Sequence, residues 1–244
     1  MNVPIPSLKE KQALLFDYGG TLVQYYEREE FPPILQRALD NVSAYLSEID
    51  FPPENEDVIW ERAMNENYES NDYRVRPLDL RLKRIFNLEY ITDEILWKMQ
   101  KKFMESLFSA GKIYSDTLPT LKYLKHQHGL KIAIISNTAW GSPSSLWIDE
   151  MKRFQLNPNS EYVDLATFCY DVGWRKPAAP IFQQVLQILN LPPSVCLFIG
   201  DHPNWDIKGA NQMKIDAILL DRNHKYSDLA IPKIHRLSDL LKFF

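Results

Sequence analysis

Asp17 closes a short apolar run, ALLF, and is followed at once by Tyr18, Gly19, Gly20, Thr21 and Leu22. A carboxylate there stands at the mouth of whatever sheet the run joins. The two glycines permit a tight turn and a close approach of backbone to ligand, so amide groups can face an anion. Three comparable places follow. The run IAII ends in Ser136 and Asn137, a hydroxyl and an amide. Gly173, Trp174, Arg175, Lys176 and Pro177 deliver a cation just before a helical pattern. The run CLFI ends in Gly200 and Asp201, with Asp206 five residues on. A nucleophile, a hydroxyl, a cation and two further acids thus occur in order, each at the end of an apolar run.

Such groups can act together only if the runs are neighbouring strands. Short apolar runs alternate with longer helical patterns, as a parallel sheet wound with helices requires. The pattern predicts strands at Ala13–Phe16, Lys131–Ile135, Asp164–Phe168, Val195–Ile199 and Ala217–Leu220. It predicts helices at Leu118–Gln127, stopped by Gly129, and at Ser145–Phe154, Ala179–Leu189 and Trp205–Met213. The expected fold is an α/β, three-layer, doubly wound parallel sheet. The stretch 25–112 interrupts the alternation and reads as all-helical. Leu35, Leu39, Val42, Leu46 and Ile49 recur at helical spacing, as do Leu96, Met99, Phe103 and Leu107, with Thr92 as N-cap and Pro52 and Pro53 as a break. The expected division is a core of residues 1–24 and 113–244 carrying a helical cap of 25–112. An insertion leaving the first strand would lie over the carboxyl ends of the other strands, where open α/β sheets bind ligands. Its natural role is a lid.

With 45% hydrophobic and 25% charged residues over 244 positions, the chain can bury one large core or a core with an insertion. A formal net charge of -4 gives no broad basic surface for nucleic acid or an anionic membrane, so a small-molecule partner is expected. No stretch approaches the roughly 20 apolar residues of a membrane span. The start, MNVPIPSLKEK, lacks the apolar core of a secretory signal, which points to the cytoplasm. Cys169 and Cys196 lie far apart in apolar runs and read as reduced core residues.

The four strings DYGGTL, SNT, RKP and GDHPNWDIKGA, in this order and at these strand ends, resemble the four motifs of the haloacid dehalogenase superfamily. The resemblance covers nearly the whole chain, and the insertion after the first motif looks like the family's first type of cap. It implies a magnesium-dependent phosphohydrolase or phosphotransferase acting on a small phosphorylated molecule. Asp17 would attack phosphorus to form an aspartyl-phosphate, splitting one hard step into two easier ones. Mg2+ bound by Asp17, Asp201 and the Gly19 carbonyl would offset the repulsion between two anions. Lys176 supplies a second positive charge. Ser136, Asn137 and the amides of Gly20 and Thr21 would bind the equatorial oxygens. Asp206 would hold a metal-bound water or orient Lys176, and the sequence leaves that choice open.

One position departs from the pattern. In the family's phosphatases the second residue after the nucleophile is an aspartate that serves as general acid and base; here it is Gly19. Glycine keeps the carbonyl and loses the proton transfer, which typically contributes about 100-fold to 10,000-fold in rate. Three consequences are compatible with this: a substrate with a good leaving group, such as an acyl or aryl phosphate; replacement of the acid by water or a cap group, with His202 the nearest titratable residue; or a catalytically weakened protein that keeps only binding or regulation. Dehalogenases and phosphonate hydrolases of the superfamily also lack this aspartate. Asp201 argues against the metal-free dehalogenases, and the absence of lysine between Tyr25 and Glu48 argues against the Schiff-base phosphonate hydrolases.

Three of the six tryptophans, Trp140, Trp174 and Trp205, share loops with the last three motifs. They read as an aromatic rim or cap-docking surface, or as loop packing, with packing the favoured expectation. Arg74, Arg76, Arg81 and Arg84 read as a solvated helix face.

Overall fold

The computed structural model describes residues 5–243, so the first four residues of the MNVPIPSLKEK segment lie outside it. In chain order the elements are β1 (Ala13–Phe16), β2 (Val23–Gln24), α1 (Phe31–Glu48), α2 (Glu56–Glu66), α3 (Leu78–Ile85), α4 (Asp93–Ser109), β3 (Lys112–Ile113) and α5 (Thr117–His128). Then come β4 (Lys131–Ser136), α6 (Ser144–Arg153), β5 (Leu165–Phe168), α7 (Cys169–Val172), α8 (Ala179–Leu189), β6 (Cys196–Gly200), α9 (Gly209–Gln212), β7 (Asp216–Leu220) and β8 (Lys233–Ile234). Among these residues no helix is long and apolar enough to cross a membrane.

The main sheet runs in the order β5-β4-β1-β6-β7-β8, and its pairings are all parallel. All four residues of β1 are buried, and they divide between two cores because side chains alternate across a strand. Leu14 and Phe16 join Ile132, Ile134, Leu197 and Ile199 on one face. Ala13 and Leu15 join Ala133, Ile135, Phe198 and α8 on the other. The first core continues without interruption into the insertion through Leu35, Leu39, Val42, Met99 and Phe103. The expected doubly wound α/β architecture is therefore present. Gly129 ends α5 in the left-handed conformation at φ 64°, and the Thr92 hydroxyl accepts from the Ile95 amide 3.3 Å away.

Strand order decides where a ligand can sit. From β1 the chain moves to β4 and β5 on one side, and from β6 to β7 and β8 on the other, so the crevice lies at the carboxyl ends of β1 and β6. Register then aligns the chemistry. Phe16 pairs with both Ile134 and Ile199, and the Asp17 amide donates to the Ile199 carbonyl at 2.9 Å. Asp17 and Asp201 thus leave adjacent strands at nearly one level.

The insertion is attached in more than one place. Its two connections form an antiparallel pair, Val23 with Ile113 and Gln24 with Lys112. Midway along it, the Val75 amide donates to the Gly173 carbonyl at 3.1 Å and the Arg175 amide donates to the Tyr73 carbonyl at 2.8 Å. Gly141, at φ 65°, lies so close beneath this segment that a β-carbon there would fall 2.1 Å from the Arg76 carbonyl oxygen.

Candidate active site

Lys176 is the centre of the site. Its ammonium, almost fully buried, lies 2.5 Å from Asp17 Oδ1 and 2.6 Å from Asp206 Oδ1. Burial alone would lower its pKa, but attraction to Asp17 and Asp206 outweighs that and holds it above the ordinary lysine value. The backbone of Lys176 is clamped by Asn137, whose side-chain oxygen accepts the Lys176 amide at 2.8 Å and whose side-chain nitrogen donates to the Lys176 carbonyl at 3.3 Å. The Asn137 amide group is therefore spent on positioning the lysine.

Asp206 owes its inward direction to a wide helical turn, Pro203–Lys208, in place of the regular helix start expected at Trp205. Here the Ile207 amide reaches the carbonyl of His202, five residues back, and the Asp206 amide reaches the same oxygen. The turned-in carboxylate accepts the His202 amide at 2.9 Å through Oδ2 while Oδ1 holds the lysine. Its Oδ1 orients Lys176, one of the two roles left open for it, and its place beside Asp17 and Asp201 keeps the other open.

Asp17, Asp201 and Asp206 each offer one carboxylate oxygen, and these lie within 4.8 Å of one another. Three carboxylates face one ammonium, which leaves two negative charges in excess. Burial, together with repulsion from Asp206, outweighs the pull of Lys176 and raises Asp17 to about 6. Burial and repulsion from Asp17 and Asp206 push Asp201 well above the carboxylate range. A divalent cation has the charge that such a cluster lacks, and oxygen donors are what Mg2+ takes. The turn before it is shaped to match. Gly20, at φ 81°, approaches Asp201 so closely that a β-carbon would fall 2.3 Å from Oδ2. Thr21 is fully buried with its hydroxyl 3.5 Å from Asp17 Oδ2, and Ser136 is buried at the end of β4 with its hydroxyl donating to the Asn137 carbonyl at 3.3 Å.

Buried carboxylates and a lysine at a switch point admit several chemistries, and comparison with known proteins narrows them. A family model described as haloacid dehalogenase-like hydrolase matches residues 11–214. This chain belongs to that family. A glyceraldehyde 3-phosphate phosphatase of Pyrococcus furiosus is 24% identical to it over 251 aligned residues, covering 96% of this chain and 95% of the relative. A ribulose-1,5-bisphosphate 5-phosphatase of Halopiger xanaduensis is 31% identical over 106 residues, 43% of this chain and 41% of the relative. The fold matches that of a haloacid dehalogenase superfamily phosphatase from Thermococcus onnurineus with TM-score 0.63 at 24% identity, covering 95% and 96% of the two chains. It also matches a 2-haloacid dehalogenase from Pseudomonas syringae with TM-score 0.65 at 21% identity, covering 96% and 97%.

Within this haloacid dehalogenase-like hydrolase, a cavity of about 900 Å³ opens above the acids, between the strand ends and the insertion. Two titratable groups that line the cavity, His202 and Glu69, have partners of their own, although Glu69 Oε2 makes no hydrogen bond. His202 Nδ1 accepts the amides of Asn204 and Trp205, both at 3.3 Å, and burial lowers its pKa despite attraction to Asp17. Glu69, from the insertion, lies 2.9 Å from Arg81 and 3.5 Å from Arg175. Tyr25 turns a ring edge toward Gly19 but buries its hydroxyl away from solvent.

The tryptophans separate into two groups. Trp140 is buried against Phe103 of α4, with ring centroids 5.2 Å apart, and Trp174 lies under the Arg74 guanidinium at 3.8 Å, so both dock the insertion. Trp205 stays 42% exposed and stacks on His202 at 3.9 Å. The arginine run is a correction. Arg81 is 1% exposed and donates to the carbonyls of Arg76 and Glu66, and Arg76 pairs with Glu66, so these two guanidiniums satisfy buried backbone rather than face solvent. Arg222, which sequence reasoning did not single out, holds Asp116 through both terminal nitrogens at 3.1 and 2.9 Å and donates to the Thr21 carbonyl at 3.0 Å. Its one signal was its place just past β7, at the same sheet edge as the other site residues.

Proposed function

We propose that this chain is a magnesium-dependent phosphohydrolase or phosphotransferase that acts on a small phosphorylated molecule through an aspartyl-phosphate on Asp17. The observation that carries the reading is the buried Asp17 carboxylate at the switch point, held at 2.5 Å by Lys176 and facing Asp201. The core of residues 1–24 and 113–244 supplies the chemistry, and the insertion 25–112 caps it.

Each residue has a task. Lys176 on Oδ1 and the Thr21 hydroxyl beside Oδ2 fix the plane of the attacking carboxylate. Asp206 and Asn137 hold Lys176, so its charge stays where phosphate oxygens gain charge in the transition state. Ser136 and the Gly20 and Thr21 amides bind the remaining equatorial oxygens. Asp17 and Asp201, with the Gly19 carbonyl, would hold Mg2+, which supplies charge neutralisation and a fixed anchor for the phosphate. After Asp17 displaces the leaving group, water attacks the aspartyl-phosphate and releases inorganic phosphate.

The test is magnesium-dependent phosphate release from acetyl phosphate or an aryl phosphate, abolished in Asp17→Asn. Gly19 supports one second reading, a binding or regulatory protein with weakened turnover; undetectable hydrolysis with intact magnesium binding would establish it in place of the enzyme.

A further inference from the structure

Resting on the phosphatase reading above, we infer that the substrate is an aryl phosphomonoester, a phosphate carried on a phenolic ring, whose remaining part bears no second anionic group. Three independent observations converge on it. The first is the missing acid. With Gly19 in place of an aspartate no acid stands two residues after the nucleophile, His202 turns Nδ1 to two backbone amides, and Glu69 lies between Arg81 and Arg175. A phenolate leaves without that help, because a phenol has a pKa of about 10, against about 16 for water-like alcohols.

The second observation is the wall. Tyr26, Phe31, Tyr114, Trp205 and Tyr226 line the cavity from four separate stretches of chain, and each keeps part of its ring exposed. Aromatic walls recognise flat apolar rings by stacking and edge contacts. The cavity, at about 900 Å³, is near the top of the range of about 300–1,000 Å³ for sites that enclose drug-sized ligands. A triose phosphate would leave most of it empty.

The third is charge. Among the described residues, the lining cations Arg175, Arg222 and Lys225 face Glu69 at 3.5 Å, Asp116 at 2.9 Å and Glu27 at 2.7 Å. A second phosphate or carboxylate on the substrate would thus meet cations that each already face a carboxylate.

The chemistry balances without any further reagent. An Asp17 oxygen bonds to phosphorus as the bond from phosphorus to the aryl oxygen breaks, and the electron pair leaves on the phenolate, which takes a proton from bulk water. Water then attacks the aspartyl-phosphate, loses one proton to solvent, and leaves inorganic phosphate and free Asp17.

The experiment compares kcat/KM of the full-length, magnesium-loaded protein on phenyl phosphate, 4-carboxyphenyl phosphate, acetyl phosphate and glycerol 3-phosphate. Asp17→Asn serves as control, and Phe31→Leu and Tyr226→Leu are each checked for an unchanged thermal midpoint. Phenyl phosphate should exceed glycerol 3-phosphate by about 100-fold or more, the size of the missing acid's contribution. It should also exceed its carboxylated analogue, and the two ring variants should raise KM for phenyl phosphate several-fold more than for acetyl phosphate. Glycerol 3-phosphate within a few-fold of phenyl phosphate, or equal KM values for acetyl and phenyl phosphates, would overturn the inference. Asp17-dependent release confined to acetyl or glycerol phosphate would sink the aryl class and leave the phosphatase standing; no Asp17-dependent release from any of the four would sink both.

Discussion

Replacing Gly19 with aspartate should restore what this site lacks, and the structure has room for it. A β-carbon at position 19 would meet nothing nearer than Tyr25 Cδ2, 3.7 Å away, an ordinary van der Waals contact, and the backbone there is not left-handed. Gly20 is the opposite case, with φ 81° and a β-carbon that would strike Asp201. Gly19→Asp should therefore fold and bind magnesium, and Gly20→Asp should do neither well. A positioned general acid contributes about 100-fold to 10,000-fold, or about 3–5 kcal/mol of barrier, where the leaving group needs a proton. An alkoxide needs it and a phenolate hardly does. Gly19→Asp should raise kcat/KM for glycerol 3-phosphate by about 100-fold or more and for phenyl phosphate by less than about 10-fold. The ratio kcat/KM is the right quantity, since it reports the first irreversible step, in which the leaving group departs; hydrolysis of the aspartyl-phosphate is common to all substrates and appears in kcat. Equal gains on both substrates would refute the reasoning, as would no gain on the alkyl ester in a variant that still folds and binds magnesium.

Lys176→Met removes the cation shared by Asp17 and Asp206 and leaves two buried carboxylates uncompensated, so urea denaturation should show a loss of about 3–5 kcal/mol, partly recovered by magnesium, with phosphate release lost. The pH dependence of the metal-free protein should be inverted relative to ordinary acid denaturation. Because Asp17 binds its proton more tightly folded, at about 6, than at the ordinary 3.8, stability is present below 3.8 and is lost as pH rises through about 6; the two units are worth about 3 kcal/mol in all, of which about 1.4 kcal/mol falls between pH 8 and pH 5. Thermal midpoints should rise from pH 8 to pH 5 without magnesium, and a fall over that interval would contradict the charge cluster. Gly141→Ala places a methyl group 2.1 Å from the Arg76 carbonyl at a left-handed position that alone costs about 1–2 kcal/mol, so the segment around Arg76 should gain hydrogen exchange.

The parts of this fold that sequence shows are those where burial leaves a periodic mark. The main strands β1, β4, β6 and β7 each carry a run of buried apolar residues, because a parallel sheet is covered on both faces, and Ala179–Leu189 reads with its observed bounds because its apolar stripe is uninterrupted. Elements without such a mark are invisible. β2 and β3 have two residues each, β8 pairs through Lys233 and Ile234, and α2 buries only Ile59 and Ala63. In the site, motif order located Asp17, Lys176 and Asp201, while the divisions of labour came from geometry: Asn137 clamps the Lys176 backbone, and Asp206 holds its ammonium. Arg81 was misread because a charge run looks the same whether it meets water or buried carbonyls. The cavity wall was legible only in part. Trp205 shares a loop with the last motif, but Tyr26, Tyr114 and Tyr226 come together through folding alone.

The insertion and the catalytic loops are built on one another. Tyr73 and Val75 hydrogen-bond to Arg175 and Gly173, so the backbone that carries Lys176 is tied, one residue away, to the middle of the insertion. Arg76 rests on Gly141, in the loop that follows Ser136. A lid hinged only at β2 and β3 would have to break both hydrogen bonds on every opening, at about 0.5–1.5 kcal/mol each, and expose Trp140 as it left Phe103. Residues 73–76 of the insertion therefore brace the backbone that carries Lys176.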